Sequence, residues 1–146
     1  MSVSYDFEQS LGFLIGSTAR AIEQALNARL APHGITIRQV QVLACLALHN
    51  ELSQSEIAEL IGLEASTLVR LLDRMERDGW VRRKPAPDDR RKKLISATTK
   101  VKPLWMTIAD ASELIEKQAT DRFSDQQLVQ IKTTLAEILA SLRRSA

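Results

Sequence analysis

Ser53-Gln54-Ser55-Glu56-Ile57-Ala58-Glu59-Leu60-Ile61-Gly62, followed after three residues by Ser66-Thr67-Leu68-Val69-Arg70-Leu71-Leu72-Asp73-Arg74-Met75-Glu76-Arg77-Asp78-Gly79, is the stretch on which the fold turns. Ser53 and Glu56 stand in a capping-box pattern, in which hydroxyl and carboxylate each satisfy an orphan amide at a helix start. Gly62 then ends that helix, because it can take the left-handed conformation of a C-cap. A second helix is predicted over about 65–77. At about 100° per residue, Leu68, Leu71, Leu72 and Met75 share one face, and Ser66, Thr67, Arg70, Arg74 and Arg77 share the other. Two helices joined by a short glycine turn, the second amphipathic with a basic outer face, are the makings of a helix-turn-helix. A helix about 10–12 Å across fits the major groove of B-DNA, where exposed donors meet bases and phosphates. Ser66, Thr67, Arg70 and Arg74 are such donors.

Outward from this pair, Asp78-Gly79 stops the second helix and Trp80-Val81-Arg82-Arg83-Lys84 reads as a short strand. A Pro85-Ala86-Pro87-Asp88-Asp89 turn leads to a second strand over about 92–98, making a hairpin whose tip is basic: Arg90, Arg91, Lys92 and Lys93. An arginine on such a tip can enter a narrow minor groove, where negative potential is concentrated. Upstream, Phe7, Leu11, Leu14, Ile15, Thr18, Ala19, Ile22, Leu26 and Leu30 form one stripe of a long helix over about 7–31, ended by Pro32-His33-Gly34. A helix over about 37–49 is apolar almost all round and belongs at the centre. Downstream, Leu104, Ile108, Ala111, Leu114 and Ile115 mark another helix, which Pro103 should start late or bend. Ser124-Asp125-Gln126-Gln127 caps a last helix carrying Leu128, Ile131, Leu135, Ile138, Leu139 and Leu142. The fold class is mainly α: a winged helix-turn-helix with a two-stranded β-wing and long N- and C-terminal helices.

Composition agrees. The chain has 146 residues, 45% hydrophobic but only 4% aromatic, so its core must be aliphatic. A single cysteine forms no internal disulfide and suits a reducing compartment. Met1–Asp6 lacks the basic start and apolar run of a secretory leader, and no segment has the roughly 18 uninterrupted apolar residues of a membrane span. These features predict a soluble, cytoplasmic chain without a membrane partner. The net charge of +2 hides a segregation: residues 66–102 hold twelve basic and five acidic side chains, and the rest holds eight basic and thirteen acidic. A middle third at +7 between acidic flanks points to a polyanionic partner.

Rival functions find less support. No convergent catalytic set and no glycine-rich phosphate loop can be assembled, so no enzyme activity or cofactor is expected. His33, His49 and Cys45 are too few and too poorly spaced for a metal site. Cys45 lies within an apolar helix and reads as a buried, inert thiol rather than a redox sensor. A winged domain serving only protein interaction would have no use for the arginine set.

From Ile35 to Trp105 the sequence resembles the MarR family. The resemblance rests on Ser53–Leu63, on Ser66–Gly79, and on Asp88-Asp89-Arg90-Arg91. The family's wing signature, Asp-x-Arg followed after five residues by Leu-Thr, is matched by Asp89, Arg91 and Ala97-Thr98, with alanine in place of leucine. Val101 departs from the glycine found there in many members. Thr99-Lys100-Val101-Lys102-Pro103-Leu104 and Leu68-Val69-Arg70 look instead like the SlyA branch. The resemblance implies one MarR-type domain over 1–146, with a winged lobe at 35–99 and dimerisation helices at 5–32 and 100–146. It implies a homodimeric transcriptional regulator on a pseudo-palindromic operator in double-stranded DNA, repression and activation both being open to it. Arg70 would read bases in the major groove and Arg90 would enter the minor groove, with Ser66, Thr67, Arg74, Arg91, Lys92 and Lys93 around them. Arg91 has a second reading, as a structural partner of Asp89. A small aromatic or phenolic effector is implied between the dimer helices and the winged lobe, with Arg20, His33, Arg38 and Trp105 as candidate linings.

Overall fold

A computed structural model describes residues 6–145. Met1–Tyr5, which include the first residue of the expected 5–32 segment, and Ala146 lie outside the described residues. Among the described residues six α-helices run α1 Leu11–Leu30, α2 Ile37–His49, α3 Gln54–Ile61, α4 Ala65–Arg77, α5 Lys102–Ala119 and α6 Asp125–Ser145. Three strands, β1 Glu51–Ser53, β2 Val81–Pro85 and β3 Lys93–Ala97, form an antiparallel sheet in the order β1-β3-β2. The chain falls into two compact units, one running to Ser112 and one from Glu113, each described in turn.

In the first unit the ends of the helices follow local chemistry. α1 begins at Leu11 rather than near residue 7, because Ser10 acts as its N-cap, its hydroxyl accepting from the Phe13 amide at 3.3 Å. Phe7, expected on the α1 stripe, therefore precedes the helix. α1 gives way to a 3-10 turn at Ala31–His33, and Gly34 follows at φ 70°. The Asn27 side chain, one turn earlier, accepts from the Ile37 amide at 2.8 Å and seats the start of α2 on α1. The Ser53 capping box forms as read: Ser53 N–H donates to Glu56 Oε2 at 2.7 Å, and Glu56 N–H donates to Ser53 Oγ at 3.3 Å.

The core of this unit is aliphatic. Leu30, Ile35, Val42, Leu43, Ile57, Leu68, Leu72, Met75, Ile95 and Val101 are fully buried around α2, which touches α1, α3, β1 and β3. α2 is not apolar-buried all round, for Leu48 is 79% exposed. The expected hairpin is present, with Val81 opposite Ala97 and Pro85 opposite Lys93. It gains a third strand that the sequence reading did not contain. Glu51, Leu52 and Ser53 pair with Ser96, Ile95 and Leu94. Three residues give too little alternation to reveal a strand, and Ser53 already carried a cap signal. Pro103 sits in the first turn of α5 after a 3-10 turn at Thr99–Val101, so the helix starts late, as its missing amide requires.

The second unit holds the end of α5 and all of α6. Ser124 and Gln127 form the second capping box, at 2.9 and 3.2 Å, and Lys132 pairs with Glu116. α6 has no buried residue, and Val129, Ile131, Leu135, Leu139 and Leu142 are exposed along it.

Ser53→Ala should lower the unfolding free energy by about 1 kcal/mol. The Ser53 hydroxyl, and then its backbone, hold the Glu56 carboxyl below the ordinary carboxylate range. A lowered folded pKa stabilises above the unfolded pKa, and the increment is lost as pH falls through the folded value. The difference in urea midpoint between wild type and variant should therefore be largest near neutrality and shrink on acidification. Equal midpoints at neutral pH would remove the cap from the account of stability.

Candidate nucleic-acid interface

α3 and α4 meet across Gly62-Leu63-Glu64, with Gly62 in the left-handed conformation at φ 65°. α4 buries Leu68, Leu71, Leu72 and Met75, as its pattern dictated, and leaves Ser66, Thr67, Arg70, Arg74 and Arg77 exposed. Those five do not form a single face, however. Spacing of about 100° per residue puts Ser66, Arg70, Asp73 and Arg77 straight outward, and Thr67 and Arg74 to one flank. That flank lines an open cleft of about 600 Å³ with Asn27, Thr36, Arg38 and Leu71. The other flank, with Val69 and Glu76, faces the wing. Glu64 at the N-cap makes no side-chain cap bond to the first amides of α4. Unsatisfied amides at a helix start are donors suited to an anion.

The exit from α4 is closely fixed. Gly79 N–H donates to Glu76 O at 3.0 Å and Trp80 N–H to Met75 O at 2.9 Å, a Schellman motif with Gly79 at φ 79°. The far end of the hairpin is tied to the same place. Thr98 N–H donates to Trp80 O, Thr98 Oγ1 to Gly79 O, and Lys100 Nζ to Asp78 O, at 2.9, 2.6 and 2.7 Å.

The wing sorts its basic side chains into two sets. Arg83 faces α4, where its guanidinium lies 2.8 Å from both Asp73 Oδ1 and Glu76 Oε2. It also donates to Gln54 Oε1 at 3.2 Å and to Val69 O at 3.4 Å. Lys84 pairs with Glu51, and Arg82 donates to Ser96 Oγ. At the tip, Ala86 N–H donates to Lys92 O at 2.8 Å and Lys92 N–H to Asp89 O at 3.0 Å. Asp89 does brace this loop, but its carboxylate accepts from the Arg91 backbone amide at 2.9 Å rather than from the guanidinium. Arg90, Arg91, Lys92 and Lys93 are exposed and enter no ion pair among the described residues, and the same holds for Arg70 and Arg74. A cleft of about 300 Å³ brings Arg91, Lys92 and Lys93 beside Ser53 and Ser55 at the start of α3 and Ala65 at the start of α4.

The proposed ligand linings are not brought together. Arg38 lines the larger cleft, where it pairs with Glu23 at 3.7 Å and donates to Gln41 at 3.0 Å. Arg20 bonds Ser17, while His33 in its 3-10 turn and Trp105 on α5 line neither cleft. Cys45 is half-buried in α2, and burial pushes its thiol pKa up. Among the described residues no three His, Cys, Asp or Glu side chains could hold a metal ion, and no helix is long and apolar enough to cross a membrane. Arg83 and its carboxylate partners were missed by the sequence reading, which counted Arg83 only as one more positive charge.

The sequence profile of the MarR family matches residues 35–93. The uncharacterized HTH-type transcriptional regulator YwoH of Bacillus subtilis (strain 168) is 31% identical over 112 residues, which are 77% of this chain and 81% of that protein. A MarR family transcriptional regulator from Rhodococcus sp. RHA1 superposes with a TM-score of 0.82 at 29% identity, over 92% of this chain and 96% of that one. CouR from Rhodococcus jostii RHA1, solved bound to p-coumaroyl-CoA, superposes with a TM-score of 0.75 at 29% identity, over 92% and 95%.

Proposed function

The chain belongs to the MarR family, and on that premise we propose that it is a dimeric regulator of transcription that binds a pseudo-palindromic site in duplex DNA and answers to a small aromatic molecule. The observation that carries the DNA reading is the set of cations without ion pairs. Arg70 and Arg74 on α4 and Arg90–Lys93 on the wing tip stay free, while Arg82, Arg83 and Lys84 between them have partners within the fold. In this reading Arg70 reads base edges, Arg90 enters the minor groove, and Ser66, Thr67, Arg74, Arg91, Lys92 and Lys93 hold the backbone. Leu68-Val69-Arg70 and Thr99–Leu104 support a SlyA-like branch. A redox regulator built on Cys45 is disfavoured, because a thiol with a raised pKa has little thiolate to react. A purely protein-binding module is disfavoured by the same free cations.

Footprinting of the purified protein on DNA flanking its own gene should reveal half-sites about 10–10.5 bp apart. On that site Arg70→Ala should cost roughly 1–3 kcal/mol and lose less on random duplex, whereas Lys92→Ala or Lys93→Ala should weaken both alike. Arg90→Ala should weaken A·T-flanked sites most and lower the slope of log affinity against log salt by about one. Equal losses on both duplexes for Arg70→Ala would reduce it to a backbone contact. An unchanged flank preference in Arg90→Ala would remove the minor-groove role.

The dimer is supported by what each unit leaves uncovered. Leu11, Leu14 and Ile22 on α1, and Ile131, Leu135, Leu139 and Leu142 on α6, are exposed apolar side chains in regular stripes, the mark of an interaction surface. Sedimentation at micromolar concentration should find a dimer, and truncation after about residue 124 should abolish dimerisation and DNA binding together. A stable, folded monomer would overturn this.

For the effector, the p-coumaroyl-CoA bound to CouR supports an aromatic ligand class. We place it in the cleft that carries Arg38, Arg74 and Leu71, which offers cations for an acid group and an apolar wall for a ring. A phenolic carboxylate should weaken operator binding by wild type and not by Arg38→Ala. An equal response from both would exclude this cleft.

A further inference from the structure

We propose that Arg83 is a positioning residue that locks the wing to the recognition helix α4, so that both meet one duplex in a fixed relation. The proposal rests on the DNA-binding reading above, but its geometry stands apart from it. Arg83 leaves β2 and spends its guanidinium on two elements outside the sheet: Asp73, Glu76 and the Val69 carbonyl on α4, and Gln54 at the start of α3. Its side chain is only 16% exposed, while the two carboxylates are 58% and 43% exposed. Both carboxylates lie against one nitrogen, Nη1, while Nε donates to Gln54 and Nη2 to the Val69 carbonyl. Every nitrogen of a mostly buried planar group is thus engaged, and the group is more constrained than in a lone surface ion pair.

The acids make little sense otherwise. Asp73 lies in the outward sector of α4 between Ser66 and Arg77, where a bare carboxylate would repel phosphate. Paired with Arg83, Asp73 and Glu76 become the α4 half of a joint. The wing has few other ties to that helix: its two ends are fixed at Asp78–Trp80, but without Arg83 the middle of β2 has no hydrogen-bonded tie to α4 among the described residues. Lysine in place of Arg83 keeps the charge and loses the fork, so it should restore the joint only in part.

The test measures the joint directly and then its effect on DNA. In a Cys45→Ala background, spin labels at Glu64→Cys and Asp88→Cys report the distance from α4 to the wing tip. Labelled protein is diluted in unlabelled protein so that each distance lies within one protomer. The distribution should be narrow with Arg83 present, broaden in Arg83→Ala, and be intermediate in Arg83→Lys. Without labels, Arg83→Ala should lose about tenfold in operator affinity at an unchanged salt slope. The pair Asp73→Asn with Glu76→Gln should behave like Arg83→Ala. That pair also decides between positioning and simple charge, because removing two negative charges beside DNA would by itself tighten binding. If Arg83→Ala fails to melt cooperatively, the paired variant carries every reading in its place. An unchanged distance distribution overturns the proposal, and so does a broadened one with full operator affinity. A salt slope lowered by about one overturns it too, since Arg83 would then touch phosphate itself. Wild-type protein that binds no duplex would sink the DNA reading, while the distances would still decide the joint.

Discussion

Burial of one stripe on α4 is the constraint from which the rest follows. Leu68, Leu71, Leu72 and Met75 are at most 5% exposed, and a fully buried side chain of this kind contributes about 1.5–3 kcal/mol. Rotating the helix by one residue, about 100°, would carry Arg70 or Arg74 toward that core. The rotation of α4 is thus set by its apolar face, and the polar face inherits its aim. The Schellman turn at Asp78–Trp80 then fixes where the chain leaves α4, which fixes where the wing begins.

Charge is sorted by the same framework. The net +7 of residues 66–102 reads in sequence as one basic block. In the structure, Arg77 pairs with Asp78, Arg83 with Asp73 and Glu76, and Lys84 with Glu51. Arg82 and Lys100 bond a serine and a helix-end carbonyl. Among the described residues, the cations of this block that enter no ion pair and are not spent on Ser96 or Asp78 are Arg70 on the outward face of α4, Arg74 on its flank, Arg90–Lys93 at the wing tip and Lys102. A charge count therefore marks the region and cannot say which of its cations are left without an ion pair. The available ones are those that no carboxylate pairs with among the described residues.

Legibility in the sequence followed the range of the interaction. Caps and stops act over three or four residues, so the bounds of α3 and the end of α4 were readable from Ser53, Gly62 and Gly79, while the Thr36–Gln39 capping box that opens α2 went unread. The start of α1 was misread because a hydrophobic stripe continues back to Phe7, while the Ser10 cap that overrides it is a single hydroxyl. β1 was missed because its pairing with β3 bridges more than forty residues and shows in only three. Arg83 was missed for a related reason. Its partners lie on α3 and α4, and nothing in the spacing of a strand arginine says which helix it will meet. The Asp89–Arg91 link was legible as a partnership, and the structure makes it through the Arg91 backbone amide, since a short carboxylate two residues back reaches the amide first.

The joint at the end of α4 ties these readings into one mechanical unit. Thr98 and Lys100 return from β3 to bond the backbone of Asp78, Gly79 and Trp80, and Val101 is buried at the same place. The 3-10 turn at Thr99–Val101 and Pro103 then begin α5 directly from that joint. The end of α4, both feet of the wing and the 3-10 turn that leads into α5 are therefore joined by one backbone and two side-chain hydrogen bonds, all accepted by backbone carbonyls at Asp78–Trp80. A shift of α5 at its start cannot be absorbed by a loose loop, because none intervenes; it must either strain these bonds or carry α4 and the wing with it. Packed structure of this kind transmits displacement through discrete joints rather than by bending. What ties the start of α5 to the end of α4 is thus the carbonyls of Asp78, Gly79 and Trp80, which accept from Thr98 and Lys100 just before that helix begins.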